Sequence, residues 1–308
     1  MNSLRKPVVH QSVLLQEVID TLDIKSDDVV LDATFGGGGH SKAILEKLGP
    51  KGVLIAIDTD SNALEAQRES FSAYKSTVHL KQANFRDLDM VLKELGIKPG
   101  EVNKFIFDLG FSSTQLEEGG RGLSFQKDEP LLMTLTDIDS ITEESLTAKR
   151  IVNEWDEDQI ETIIRGYGED SFSKQIAKAI VEAREAKEIE TTTELREIIT
   201  SATPKWYQNK RIDPATKTFQ ALRIAVNDEI ETAKEGIEKA FSHLAPSGVI
   251  AVIAFHSIED RVVKRLFREW KKEGLGVQEP KKPVVASREE IKKNPRARSA
   301  KLRTFIKK

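Results

Sequence analysis

Short apolar segments alternate with amphipathic helical segments along the first 110 residues and again after residue 218. Strands are predicted at residues 29–33, 52–58, 78–82, 105–109, 248–255 and about 302–306. Helices are predicted within residues 8–22, at 41–48, up to about 71, and at 87–95, 218–244 and 259–272. Because most of the strands are apolar on both faces and helices separate them, the pattern predicts an α/β fold whose parallel sheet is covered on both sides.

The alternation stops between residues 116 and 217, where helical patterns occur without a convincing apolar strand. Residues 173–184 carry apolar side chains at helical spacing, and Thr191 with Glu194 offers a capping box for the next helix. We therefore predict a helical domain at 116–217, inserted into a discontinuous α/β domain of residues 1–115 and 218–308.

The composition excludes several classes of protein. With 39% hydrophobic residues the chain can build a core, and without cysteine it has no disulfide, thiolate metal site or cysteine nucleophile. The five histidines are scattered without metal-ligand spacing, so no metal is expected. No apolar run approaches the ~20 residues of a membrane span, and a cytoplasmic location is expected.

A net charge of −3 conceals an asymmetry between two regions of the chain. Residues 261–308 hold 17 lysine and arginine residues against five acidic ones, whereas residues 117–170 hold five against 15. A basic end on an acidic body favours a polyanionic partner such as nucleic acid, although a solvated tail has the same composition.

Four consecutive glycines, residues 36–39, follow the first predicted strand and precede a helix. Glycine permits positive φ and close approach of a ligand to the backbone. Asp32, Asp58 and Asp108 stand at the ends of three strands, where open α/β sheets bind ligands. Asp58 lies ~20 residues past the glycines, which is the usual spacing for an acid that binds ribose hydroxyls. A nucleoside cofactor is predicted, and these features alone do not separate NAD from S-adenosylmethionine.

Two features favour S-adenosylmethionine. The glycines lack the G-x-G-x-x-G spacing, and Asp108 occupies the strand end where amino-methyltransferases hold an acceptor for the target amine. Each residue also has a purely structural interpretation: Asp32 could cap the turn, His40 could start a helix, and Phe85 could belong to the core.

Seven motifs together resemble the bacterial 16S rRNA (cytosine-N4)-methyltransferases, the RsmH or MraW family. They lie at residues 10–15, 32–41, 108–116, 167–169, 214–224, 255–261 and 294–299. The resemblance implies a class I, Rossmann-like methyltransferase fold with an all-helical substrate-binding insertion. It also implies S-adenosylmethionine as methyl donor, and as acceptor the exocyclic N4 of one cytidine in the decoding region of 16S rRNA, within the small ribosomal subunit or its late precursor.

Positions carried over from the family place the cofactor against Gly38, Gly39, His40, Asp58, Phe85, Asp108 and Gln115. Asp108 is the expected catalytic residue, as hydrogen-bond acceptor for the target amine. Phosphates are expected at Lys217, Arg223, Arg296, Arg298 and Lys301, and also at Arg303. His256, Glu259 and Asp260 could line the target pocket or serve packing. The sequence leaves a homodimer open.

One departure from the family pattern concerns two positions. Leu132 and Thr134 stand where the family has Asp and Arg, so contacts with the substrate are expected to differ there. Two alternatives stay open on sequence grounds: a dinucleotide-dependent oxidoreductase, which the glycine spacing disfavours, and an RNA-binding or assembly factor that has lost turnover.

Overall fold

The computed structural model describes residues 12–110, 119–136 and 138–308, which fall into two compact units. The first unit takes the chain up to residue 113 and from 232 to 308, and the second takes residues 114–231. The C-terminal boundary of the second unit lies at residue 231, 14 residues beyond the predicted position of 217.

The first unit is built on one sheet with helices on both faces. Its strands are β1 Val29–Asp32, β2 Val53–Asp58, β3 Thr77–Gln82, β4 Val102–Asp108, β5 Leu244–Ala254, β6 Gly276–Gln278, β7 Val284–Val285 and β8 Lys301–Lys307. The strand order is β3-β2-β1-β4-β5-β8-β6, and β7 pairs with β8. Strands β1 to β5 are parallel, and β8 is antiparallel to β5, β6 and β7. The predicted α/β fold is confirmed.

The helices of the first unit cover the two faces of this sheet. They are α1 Leu15–Leu22, α2 Gly39–Leu45, α3 Ser61–Ser72 and α4 Leu88–Glu94 before the second unit. After it come α11 Glu229–His243, α12 Ser257–Lys272 and α13 Arg288–Lys293, of which α11 begins just before the boundary. One buried apolar cluster lies on each face of the sheet, because the strands carry buried side chains on both sides.

The second unit is helical. Its helices are α5 Ala148–Glu154, α6 Glu157–Tyr167, α7 Ser173–Ala186, α8 Thr192–Ser201, α9 Lys205–Gln208 and α10 Ala215–Asn227. All of them except the short α9 contribute to one apolar cluster, to which α10 adds Ala215, Phe219 and Leu222. The unit therefore extends past residue 217, since α10 completes its core. The capping box of α8 is present: the backbone N–H of Glu194 donates to Thr191 Oγ1 at 3.3 Å.

The structure differs from the predicted elements in two ways. The single helix predicted at 218–244 is two helices, because Asp228 adopts φ 47°, which ends α10 before α11 starts. The short strands β6 and β7 were not predicted, since two or three residues carry too little pattern to be recognised. Searching the described part of the chain reveals no helix with the length and apolarity that a bilayer crossing requires.

Candidate active site

The glycine turn joins β1 to α2 and is held by backbone contacts. The N–H of Gly36 donates to Asp58 Oδ2 at 2.7 Å, which ties the turn to the end of β2. Gly36 and Gly38 have φ values of 51° and 74°, in the left-handed region that favours glycine. The turn thus needs glycine for its conformation.

Packing explains two of the glycines directly. A Cβ on Gly38 would lie 2.9 Å from the ring of Phe35, and one on Gly39 would lie 1.9 Å from Ser12 Oγ. Real Cβ atoms do not approach other atoms so closely. The chain itself fills the space beneath the turn, so a side chain at either position would displace Phe35 or Ser12.

Asp32 acts within the turn. Its Oδ2 accepts a hydrogen bond from Ser41 Oγ at 2.6 Å, and its Oδ1 accepts one from the N–H of Thr34 at 3.1 Å. The side chain is buried, and burial raises the pKa of Asp32 to about 6 despite these hydrogen bonds. These contacts match the capping interpretation of Asp32.

Asp58 ends β2 and connects the turn to the next helix. Its Oδ1 accepts from the N–H of Asp60 at 3.0 Å, while its Oδ2 holds Gly36. Each carboxylate oxygen has a second lone pair, so the group retains acceptor capacity for ribose hydroxyls. Burial raises its pKa, and the backbone N–H donors oppose that rise.

Asp108 ends β4, next to β1 in the sheet. Its N–H donates to Thr34 Oγ1 at 2.6 Å, and its Oδ2 lies 3.7 Å from His40 Nδ1. Its Oδ1 is buried and has no hydrogen-bond partner among the described residues. Burial, and then the charges of Asp32 and Glu259, raise the pKa of Asp108 to about 8. A buried acceptor without a partner indicates a place that a ligand completes.

His40 is buried beside Asp108. Its Nε2 lies 3.0 Å from the carbonyl oxygen of Val13, which can only accept, so Nε2 carries a proton. In the neutral ring Nδ1 is then an acceptor that faces the Asp108 carboxyl group. The ring links the segment before α1 to the strand end, and so it does more than start α2.

Of the two remaining predicted cofactor residues, the structure describes Phe85 and not Gln115. Phe85 follows β3, packs edge-to-face on Phe107 with ring centroids 5.6 Å apart, and lies against Gly236, where a Cβ would approach its ring to 2.6 Å. The ring therefore belongs to the core, and its contact with an adenine stays a prediction. Gln115 lies outside the described residues.

The residues at the start of α12 have structural partners. His256 Nδ1 accepts from the N–H of Glu259, and Glu259 Oε2 accepts from the N–H of Phe255 at 2.8 Å. Asp260 binds Lys301 Nζ at 3.0 Å and Arg303 Nε at 2.6 Å. These contacts favour packing for Glu259 and Asp260. His256 Nε2 is buried and forms no hydrogen bond among the described residues, so packing and a target pocket both stay open for His256.

The predicted phosphate-binding residues are not equivalent. In the second unit Lys217 Nζ donates to the carbonyl of Glu169 at 2.7 Å, and Arg223 forms two bonds with Glu229 at 2.7 and 2.9 Å. In the first unit Arg296 and Arg298 are exposed. Lys301 is paired with Asp260, as is Arg303, whose buried guanidinium is unsuited to a phosphate from solution.

The positions that depart from the family pattern lie in the second unit. Thr134 is buried and its hydroxyl lies 2.8 Å from that of Thr136, while Leu132 is half-buried. Arg121 donates to the carbonyl oxygens of Leu135 and Thr136 at 3.2 and 2.7 Å. The segment is thus held by internal hydrogen bonds, without the Asp and Arg that the family places there.

Sequence reasoning missed Thr34, Ser41 and Ser12 as parts of this site. A signal existed for Thr34, because an Asp followed two residues later by a backbone N–H donor forms an Asx-turn. Ser12 contacts the turn from a distant segment, and no local pattern indicates that contact.

The fold and the site together define a Rossmann-like methyltransferase of class I. An antiparallel strand, β8, lies between β5 and β6, and strand-end acids surround a glycine turn on adjacent strands. The model of the MraW methylase family matches residues 7–308. The chain belongs to this family; it is a methyltransferase, and S-adenosylmethionine is its methyl donor.

Relatives and solved structures extend the comparison. A protein of Clostridium botulinum strain Kyoto / Type A2 named Ribosomal RNA small subunit methyltransferase H is 44% identical over 309 residues, covering 96% of this chain and 97% of its own. The protein of the same name from strain Loch Maree / Type A3 shows the same values. An rRNA methylase structure from Streptococcus thermophilus covers 99% of both chains at 13% identity with a TM-score of 0.42. A SAM-dependent O-methyltransferase from Thermotoga maritima has a TM-score of 0.42 at 8% identity, covering 95% of this chain and 64% of its own.

The residues present fit a cationic nucleoside. The acceptor Oδ1 of Asp108 is buried and no described residue forms a hydrogen bond with it, and Asp58 retains acceptor capacity beside a turn that carries no side chains. Both acids would favour a sulfonium over a neutral ligand, because opposite charges attract most strongly where water is excluded.

Proposed function

We propose that this enzyme methylates the exocyclic N4 of a cytidine in the decoding region of 16S rRNA, within the small ribosomal subunit or its late precursor. The relatives named for the small-subunit rRNA support the class of substrate. The single observation that carries the chemistry is Asp108 at the end of β4, whose buried Oδ1 has no hydrogen-bond partner among the described residues.

The target nitrogen is a weak nucleophile because its lone pair is delocalised into the cytosine ring. When bound, S-adenosylmethionine supplies an electrophilic methyl group and a positive charge. Asp108, ionised beside that charge, accepts a hydrogen bond from N4–H and increases the electron density on nitrogen as it attacks. The proton leaves N4 to Asp108 or to water once the nitrogen is alkylated.

The scaffold residues hold this acceptor in place. Thr34 fixes the backbone of Asp108, and Asp32 holds Thr34 and the start of α2. Asp58 holds the glycine turn and has acceptor capacity for the ribose hydroxyls of the cofactor. Gly38, Gly39, His40, Phe85 and Gln115 complete the proposed cofactor-binding set.

The RNA must present its base unstacked, which costs little where the strand is single and a few kcal/mol where it is paired. Arg296 and Arg298 are exposed and suit phosphate contacts. The ammonium groups of Lys217 and Lys301 already form hydrogen bonds within the protein, so a phosphate would be an additional partner for each. Arg223 would have to exchange Glu229 for a phosphate. We therefore place the exposed Arg298 first among the five.

Mapping of modified nucleosides tests the proposal. Small subunits isolated from cells lacking the enzyme are incubated with the protein and tritiated S-adenosylmethionine, and the rRNA is digested and analysed by mass spectrometry. We expect one N4-methylated cytidine. Label on another nucleoside would overturn the proposed acceptor, and absence of label with intact binding of RNA would favour a factor that has lost turnover.

Substitution of the acceptor tests the role of Asp108. Asp108→Ala should lower the rate of methyl transfer by at least a hundredfold, because the variant loses the acceptor whose buried Oδ1 has no hydrogen-bond partner among the described residues. Retention of RNA by the variant is measured by filter binding. Unchanged transfer by Asp108→Ala would remove the residue from the mechanism.

A further inference from the structure

A groove with a strongly positive lining follows the C-terminal half of α12. Its volume is about 490 Å³. It is lined by Lys264, Arg268, Lys271, Lys272, Gln278, Lys281 and Arg303. The five exposed cations of this lining, which exclude the buried Arg303, define what we call the basic groove. None of the five was among the phosphate-binding residues predicted from the sequence.

The helix arranges four of these cations as a stripe. Lys264, Arg268, Lys271 and Lys272 recur at steps of three and four residues, so they share one side of α12. The buried side of the same helix carries Val263, Leu266, Phe267 and Trp270, which pack in the core of the first unit. The stripe is thus held toward solvent by the packing of the opposite face.

The fifth cation comes from a different segment. Lys281 lies in the loop between β6 and β7, and its carbonyl oxygen accepts a hydrogen bond from Gln278 Nε2 at 3.4 Å. Gln278 is buried at the end of β6. This contact holds the loop against the sheet, so a fixed element places Lys281 opposite the helix.

The five positive charges have no carboxylate partner in the part of the chain that the structure describes. Among the described residues no acidic oxygen lies within 4.0 Å of their side-chain nitrogens, although Glu269 and Glu273 lie on the same helix or directly after it. Lys301 and Arg303 differ, because both form ion pairs with Asp260. Cations that converge without a counter-charge attract a polyanion and repel one another when it is absent.

Position along α12 separates this groove from the methylation chemistry. Helix α12 starts at the end of β5, whose Ile253 pairs with Asp108. Lys264 lies about 12 Å further along the helix axis and Lys272 about 24 Å, at 1.5 Å per residue. The stripe itself is about 12 Å long, which matches roughly three phosphates at the spacing of one nucleic-acid strand.

We propose that the basic groove binds the phosphodiester backbone of the rRNA substrate at a segment distant from the methylated base. This inference rests on the proposed function, because it takes the substrate to be RNA. Backbone contacts of this kind position a nucleic acid and carry no base specificity. The groove therefore contributes to the affinity for the large substrate and leaves the chemical step unchanged.

A triple substitution tests the groove in the full-length protein. Lys264→Gln, Arg268→Gln and Lys272→Gln are combined, and binding to a fluorescent 16S rRNA transcript is measured across salt concentrations. We expect Kd to rise at least tenfold at low salt and the slope of log K against log salt to fall by two to three, since each lost phosphate contact removes just under one unit. In methyl transfer to small subunits, KM should rise by a similar factor and kcat should stay unchanged.

A matched control removes the same charge elsewhere. Lys47, Lys51 and Lys75 are exposed lysines of the first unit outside the groove, and their combined change to Gln should leave Kd, the salt slope and KM unaltered. Replacement of Lys264 and Lys272 by Arg should preserve binding, because the charge remains. Calorimetric titration with S-adenosylmethionine and thermal unfolding establish that the variants are folded.

The outcomes separate this inference from the proposed function. Equal losses in the groove variant and the control variant would overturn the groove and show a nonspecific charge effect. A wild-type protein that binds S-adenosylmethionine but neither binds nor methylates rRNA would overturn the proposed function instead. If the groove variant kept its RNA affinity but lost a cross-link to a ribosomal protein, the groove would be assigned to a protein partner, and its assignment to RNA would be overturned.

Discussion

At the scale of the residue, the environment of Asp108 is the feature that most directly links structure to chemistry. Its carboxyl group lies among other acids at the end of β4, and burial together with Asp32 and Glu259 raises its pKa to about 8. At pH 7 the group is therefore mostly protonated before a cation arrives. A positive charge next to it would lower the pKa, so binding of cofactor and ionisation of the acceptor are linked.

This linkage predicts a proton release. Titration of the protein with S-adenosylmethionine at pH 7 should release up to one proton, because the sulfonium favours ionised Asp108, whereas the uncharged thioether product should release much less. Calorimetry in buffers of different ionisation enthalpy measures the proton count. Asp108→Asn should abolish the buffer dependence, and a release that persists in this variant would assign it to another group.

The same raised pKa predicts how stability depends on pH. A carboxyl group whose pKa is about 8 when folded and near 3.8 when unfolded makes the folded state bind more protons in between, so stability falls as pH rises through that window. Asp108→Asn should remove this pH dependence and stabilise the apo protein at pH 8 by on the order of 5 kcal/mol. Denaturant unfolding at pH 5 and pH 8 measures the change in unfolding free energy between the two pH values. An equal change in the wild-type protein and in Asp108→Asn would contradict the prediction.

At the scale of the element, the turn between β1 and α2 shows why glycine stands where it does. Gly38 combines a φ of 74° with a ring of Phe35 that a Cβ would meet at 2.9 Å. Gly39 lies over Ser12, which comes from the segment before α1. The bare turn is therefore required by the packing of the chain itself.

Replacing Gly38 and a control glycine by alanine should change the stability of the protein in opposite directions. Gly38→Ala should destabilise the protein by about 1–3 kcal/mol and weaken cofactor binding, because it adds both backbone strain and overlap with Phe35. Gly166 is the matched control: it lies in α6 with no atom near its Cβ position, so Gly166→Ala should stabilise by about 0.5–1 kcal/mol. Thermal unfolding of both variants decides, and a tolerated Gly38→Ala would show that Phe35 can move.

At the scale of the whole molecule, the chain leaves the sheet after β4 to form a helical unit and then returns. The unit spans residues 114–231, and its last helix, α10, supplies Phe219 and Leu222 to the core. In the first unit, Asp260 forms ion pairs with the two cations of β8 that sequence analysis assigned to phosphate, while the four groove cations of α12 have no carboxylate within 4.0 Å among the described residues. The distribution of charge over the folded chain thus differs from its distribution along the sequence.

Fragment boundaries test this division. A fragment of residues 114–231 should unfold cooperatively, whereas one of residues 116–217 should not, because losing the buried Phe219 and Leu222 removes about 1.5–3 kcal/mol for each side chain from a small core. Circular dichroism during heating measures both. Two equally cooperative transitions would show that α10 is dispensable.

Much of the fold could be predicted from sequence because its signals are local. Runs of apolar residues such as 53–57 and 105–107 have one stable environment, a sheet buried on both faces, and the strands they predicted are present. The glycine turn and the acids at the ends of β1, β2 and β4 were likewise predicted from neighbouring residues alone. The break at Asp228 was not, since its backbone conformation has no distinctive local pattern.

What the sequence determined by itself was therefore the order of the elements, the glycine turn and the strand-end acids. Only the tertiary structure decided which charges are paired: Arg303 and Lys301 meet Asp260 across 43 and 41 residues of chain. Tertiary structure likewise placed Ser12 beneath Gly39 and buried Asp108 Oδ1 where no described residue forms a hydrogen bond with it. Burial and pairing depend on segments far apart in the chain, and the order of residues does not specify which of them meet.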